Sequence, residues 1–283
     1  MFIKQIYTSC LSQASYYVES DGEAIIIDPI RDSKIYEDLV LERGSKVKYI
    51  FETHFHADFI SGHLDLKNIF NSEIVFGSEA DTNYEITKAP NNSVFNIGSI
   101  KIKVLHTPGH TPESVCYLLL DNNNNEYCVF TGDTLFIGEV GRPDLAISSS
   151  VTERHLAAQL FDSLHNILMK LNDNVIVYPA HGPGSACGKN FSNETFSTIG
   201  EQKKNNYALQ KMTKEEFVEV VLEGILAAPK YFSHDAKMNK EGYLNTSEII
   251  ERNLKKFNEA DIEKEISNGT IILDVRSGLD FEN

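Results

Sequence analysis

The stretch Thr53-His54-Phe55-His56-Ala57-Asp58-Phe59-Ile60-Ser61-Gly62-His63 constrains this chain more than any other. A β-rich run, Lys46-Val47-Lys48-Tyr49-Ile50-Phe51, leads into it, and a helical pattern leaves it near Gly62. In extended backbone, residues two apart point the same way. That predicts His54, His56 and Asp58 converging on one side of a strand end. Two imidazoles and a carboxylate gathered there suit a divalent metal better than a packed core. Buried without a metal, they would need other polar partners.

A chain of 283 residues, 41% hydrophobic and 24% charged, can bury a substantial core in one large domain and leave a further segment. The net charge of -15 argues against nucleic-acid backbone and anionic membrane as general partners. None of the cysteines Cys10, Cys116, Cys128 and Cys187 forms a C-x-x-C pair, so no disulfide framework is suggested. Cys10, Cys116 and Cys128 stand in strand-like contexts and are expected in the core. The N-terminus lacks the apolar core of a signal peptide, and no apolar run reaches membrane-spanning length. A cytoplasmic setting is therefore expected.

The first third reads as strands and turns, over 2–7, 14–19, 23–28 and 46–51, with a helix ending at Gly44. Helix 64–70 and strand 74–77 follow the metal stretch. Further strands fit 94–97, 100–105, 115–120, 127–131 and 175–178. Helices fit 151–171, 194–209 and 214–223, and the chain reads as irregular after Phe232 through Gly242. Two β-rich halves, each followed by helix, suggest two sheets packed face to face with helices outside. Polar motifs recur at strand ends, which predicts a site along one edge.

Four such motifs offer ligands in order: His54-x-His56-x-Asp58, then His110, then Gly132-Asp133, then His181. This set resembles the metallo-β-lactamase superfamily over about residues 1 to 225. The resemblance implies an α+β fold, the four-layer αββα sandwich. The usual H-x-H-x-D-H pattern departs here, because Phe59 stands where the last histidine would be. A phenyl ring cannot ligate, so the second metal position of two-metal members loses a nitrogen donor. The remaining His54, His110 and Asp133 form a set of two histidines and one carboxylate, associated with non-haem iron. Within the superfamily this looks like the persulfide dioxygenases. That likeness implies one Fe(2+) per chain on His54, His110 and Asp133, with zinc as a possible substitute. His56, Asp58 and His181 then become outer groups that orient ligands or bond substrate.

Gly138-Glu139-Val140-Gly141-Arg142-Pro143-Asp144 resembles a G-R-x-D segment of the same enzymes. Arg142 could face a substrate anion, or make a loop salt bridge to Asp144; the sequence leaves both open. Gly182-Pro183-Gly184-Ser185-Ala186-Cys187-Gly188 resembles the branch fused to rhodanese domains, and Cys187 is a candidate reactive thiol or a small core residue. The expected organisation is a catalytic domain over 1–228, an extension over 229–258 and, over 259–283, the start of a truncated rhodanese-like domain. The run Thr270 to Ser277 would be its opening strand, and the rhodanese active-site cysteine is absent. The function implied is oxidation of a low-molecular-weight thiol persulfide with O2 to sulfite, in a homo-oligomer (dimer or tetramer). The other reading is a metal-dependent thioester hydrolase of glyoxalase II type, which Phe59 counts against. Catalytic roles are expected for Arg142, His181 and Cys187.

Overall fold

The computed structural model describes residues 1–147, 151–188 and 193–274. One compact unit spans Met1–Tyr243 and a second spans Leu244–Asn283. The first unit holds two sheets. One has the order β1 (Phe2–Thr8), β2 (Gln13–Ser20), β3 (Glu23–Ile27), β4 (Lys46–Phe51), β5 (Glu73–Gly77) and β6 (Thr87–Ala89). The other is built from β7 (Val94–Ile97), β8 (Ile100–His106), β9 (Val115–Leu120), β10 (Glu126–Gly132), β11 (Ile176–Pro179) and β12 (Ser197–Thr198), in consecutive order across the sheet.

Strand alternation explains the layers. Tyr16, Val18, Ile25, Ile27, Phe51 and Val75 turn inward and meet Ile102, Val104, Tyr117, Leu119 and Phe130 of the second sheet. The residues between them, Tyr17, Ala24, Ile26 and Ile50, turn outward. They are covered by α1 (Lys34–Arg43) and α2 (His63–Phe70) through Tyr36 and Leu66. On the far side Leu118, Val129 and Val177 are covered by α3 (Glu153–Asn166) and α5 (Lys214–Leu222) through Leu160, Leu164 and Phe217. A sheet covered on both faces buries both sides of its strands, and every residue of β2 is buried. The result is the expected αββα sandwich.

Several elements differ from the sequence reading. Short β6 and β12 carry too few residues to show a period. The expected helix 194–209 is β12, then α4 (Ile199–Asn205) and a 3-10 turn, Tyr207–Leu209. The stretch read as irregular up to Gly242 is α6 (Phe232–Glu241). Its buried residues are Phe232 and Asn239, one of them polar, so no apolar stripe announced it. Because α6 packs into the first unit, that unit runs past the expected boundary at 228 to Tyr243. Cys10 is exposed in a turn, not in the core.

The second unit contains α7 (Thr246–Asn253) and α8 (Glu259–Ser267), each opened by an asparagine-led capping box. Of the run expected to open a rhodanese-like strand, 270–274 is irregular and 275–277 lies outside the described residues.

Candidate metal centre

β4 ends at Phe51, so the histidine motif sits on a loop and not on extended strand. Val115 N donates to Thr53 O at 2.9 Å, tying that loop to the second sheet. Gly132 closes β10 with φ 51°, and its Cα lies so close to Thr53 that a Cβ would sit 2.5 Å from Thr53 Oγ1. Asp133 follows directly. His181 follows β11, beside β10. His110 sits between β8 and β9. Strand ends of both sheets thus deliver His54, His110, Asp133 and His181 to one point, all 1% exposed.

Hydrogen bonds assign the imidazole tautomers. Thr53 Oγ1 donates to Asp28 Oδ2 at 2.9 Å, so it accepts from His54 Nδ1, also 2.9 Å away. His110 Nδ1 donates to the carbonyl of Arg142 at 2.8 Å, and His181 Nδ1 to that of Ser12 at 3.2 Å. In each ring Nε2 keeps its lone pair. Those Nε2 atoms stand around Asp133: His54 at 3.9 Å and His110 at 3.5 Å from Oδ2, His181 at 3.5 Å from Oδ1. Both Asp133 oxygens, His181 Nε2 and Asp58 Oδ1 are buried with no hydrogen-bond partner. Acceptors facing acceptors in a dry pocket repel unless a cation sits among them. Burial, with His56, His110 and His181 nearby, holds His54 well below the usual imidazole range, so the ring is neutral and fit to ligate.

The ligating atoms of His54, His110 and Asp133 lie within 4.8 Å of one another, as do those of His56, Asp58 and His181. His56 leans the other way as well. Its Nε2 is 3.1 Å from Asp28 Oδ1 and 3.3 Å from Glu52 Oε2. Phe59 is 6% exposed, and its ring centroid lies 4.5 Å from that of His56 with the two planes tilted by 35°. It packs into the apolar layer under α1 and α2, so ring carbon lies beside His56.

Of the two readings left open for Arg142, the loop salt bridge to Asp144 is present. Its guanidinium is taken up by Asp144, with Nε and Nη2 each 2.7 Å from a carboxylate oxygen. Nη2 also donates to Leu226 O at 2.6 Å and Nη1 to Ala186 O at 3.3 Å. What Arg142 offers the centre is its backbone carbonyl, which holds His110. Cys187 is buried within 4.8 Å of the Asp133 and His181 ligand atoms. Burial, with Asp58 and Asp133 beside it, pushes its thiol well up, opposite to what a reactive thiolate needs without a cation.

Sequence reasoning missed Asp28, Glu52, His63 and Asn239. His63 is fully buried, 3.2 Å from Glu52 and stacked on Tyr84. Asp28 and Glu52 end strands next to the motif, a signal that was there to read. Asn239 lies on α6, far along the chain.

The sequence profile described as the Metallo-beta-lactamase superfamily matches residues 8–181, a span that contains every one of these candidate ligands. The chain belongs to the metallo-beta-lactamase superfamily. It is 37% identical over 172 residues to a hydroxyacylglutathione hydrolase of Dictyostelium discoideum, covering 59% of this chain and 61% of that protein. It thus spans about three fifths of the length of that relative. It is 30% identical over 214 residues to the mitochondrial persulfide dioxygenase ETHE1 of Homo sapiens, 74% of each chain. Among solved structures, a metallo-beta-lactamase from Staphylococcus aureus superposes with TM-score 0.80 at 36% identity, covering 86% of this chain and 73% of that one. ETHE1 from Myxococcus xanthus superposes with TM-score 0.71 at 27% identity, covering 85% and 98%.

Within this superfamily frame, a cavity of about 780 Å³ opens beside His110. Phe55, Pro112 and Leu145 line it together with Phe232, Ala236 and Lys240 of α6. That size suits a small organic molecule.

Proposed function

We propose that this chain is a mononuclear iron persulfide dioxygenase. It oxidises a low-molecular-weight thiol persulfide with O2 and water to sulfite and releases the thiol. The observation that carries this reading is Phe59, packed against His56 where a further nitrogen ligand would be needed. One position keeps a full set, His54, His110 and Asp133. Those residues would hold Fe(2+), which supplies the oxygen chemistry when bound. The chain's own residues orient and exclude water. Thr53 and the Arg142 carbonyl hold His54 and His110 in register, and Phe55 and Phe232 wall the cavity that takes the thiol carrier. His181 Nε2, fixed by Ser12, can accept the persulfide proton. The cytoplasmic setting and the homo-oligomer belong to the same proposal. No helix among the described residues is long and apolar enough to cross a membrane.

A thioester hydrolase is the second reading. It is favoured by the 37% identity to a hydroxyacylglutathione hydrolase and by His56, Asp58 and His181 lying close enough to share an ion. It needs a hydroxide held between two cations, which lower the pKa of water together. An oxygen electrode with a sulfite assay, run beside thioester cleavage on the same iron-loaded protein, decides. Persulfide-dependent oxygen uptake with little thioester cleavage is expected. Fast cleavage of a thioester such as S-lactoylglutathione, with no such uptake, rejects the dioxygenase.

A further inference from the structure

We propose that α6 is part of the metal centre and that Asn239 is a positioning residue for its ligand loop. The Asn239 side chain is buried, at 1% exposure. Its Oδ1 accepts from Ser61 N at 2.9 Å, and its Nδ2 donates to His56 O and Phe59 O, both at 2.8 Å. One amide satisfies three backbone groups of the loop that carries His54, His56 and Asp58. That loop is pinned there by side chains and not by a strand ladder, and buried backbone groups left unpaired are costly. The match is chemically particular. Three bonds need one acceptor and two donors on a single planar group, which asparagine has and aspartate lacks.

Neighbours hold the latch shut. Tyr84 Oη donates to the Asn239 backbone carbonyl at 2.6 Å. Tyr243, just after α6, donates through Oη to Ser61 O and accepts from Leu64 N. Elsewhere on the helix, Phe232 and Ala236 pack with Ala57 and Phe136 and line the cavity beside His110. The same helix therefore grips the ligand loop and walls the substrate space, and it sets their spacing. It lies beyond residue 181, where the superfamily match ends. The inference rests on the metal centre alone and holds for either activity.

Cobalt(II) binding to the full chain tests it without any turnover. Asn239→Ala and Asn239→Asp are expected to weaken Co(II) binding about 10-fold, the scale of lost outer-shell support. The visible ligand-field bands are expected to shift, because the loop no longer holds its geometry. Thr213→Ala is the control. It removes the cap of α5, lowers the thermal midpoint and leaves cobalt affinity and spectrum unchanged. Wild-type affinity and spectrum in Asn239→Ala would overturn the proposal, as would equal weakening in Thr213→Ala. If Asn239→Ala does not fold, Tyr243→Phe is read the same way. A few-fold loss of affinity supports the latch, and an unchanged affinity refutes it. Oxygen uptake plays no part, so failure of the dioxygenase reading leaves this result standing.

Discussion

At Asp133 two carboxylate oxygens and three imidazole lone pairs converge without a donor among them. The arrangement is set by what lies behind each ring, namely Thr53, the Arg142 carbonyl and the Ser12 carbonyl. His110→Ala and Asp133→Ala are each expected to abolish metal retention, since each removes one of the three proposed ligands. His181→Ala is expected to keep most of the metal and to lose turnover. Elemental analysis after gel filtration reads this out. Equal metal loss in all three would put His181 among the ligands. Phe59→His returns a nitrogen donor beside His56 and is expected to raise the metal content from about one toward two per chain. A ratio unchanged in zinc-loaded protein would show that more than this ring closes the second position. Gly141→Ala addresses the support. Its Cβ would lie 1.9 Å from Asp133 O and 3.1 Å from His110 Nδ1. Backbone cannot yield there cheaply, so a loss of about 1–3 kcal/mol in urea unfolding is expected, together with metal loss.

At the scale of elements, the centre is where four strand ends meet, and helices hold those ends still. Gly109, at φ 145°, presses on α3, where its Cβ would lie 2.4 Å from Leu160 Cα. α3 thereby seats the loop that carries His110. Leu160 is fully buried, so Leu160→Ala is expected to cost about 2–5 kcal/mol in urea unfolding. The loss should fall on stability, with one metal per folded chain retained. Metal loss without loss of stability would contradict that division of labour. Strands and the larger helices were legible because two-residue and 3.6-residue periods survive in β2, β8, α3 and α5. α6 was not, since its gripping residue is polar and its partners lie about 180 residues earlier.

At the scale of the molecule, the compact unit closes at Tyr243. A chain ending at Tyr243 is therefore expected to fold cooperatively and bind one metal. A chain ending at Ala228 lacks α6 and is expected to bind metal at least 10-fold more weakly, following the outer-shell scale. Calorimetry and cobalt titration of both decide. Equal affinity would make 228 the functional boundary after all.

By itself the sequence determined the candidate ligand residues, their order and the sandwich. Motif spacing and strand alternation are local, and they survive as pattern in one dimension. It also exposed Phe59, because a missing donor is visible in a row of letters. Only tertiary structure decided that Arg142 spends its guanidinium on Asp144, that Asp28 and Glu52 draw His56 aside, and that Asn239 holds the ligand loop. Each of these depends on which buried polar atom finds which partner, and burial and partnership across the chain leave no period to read.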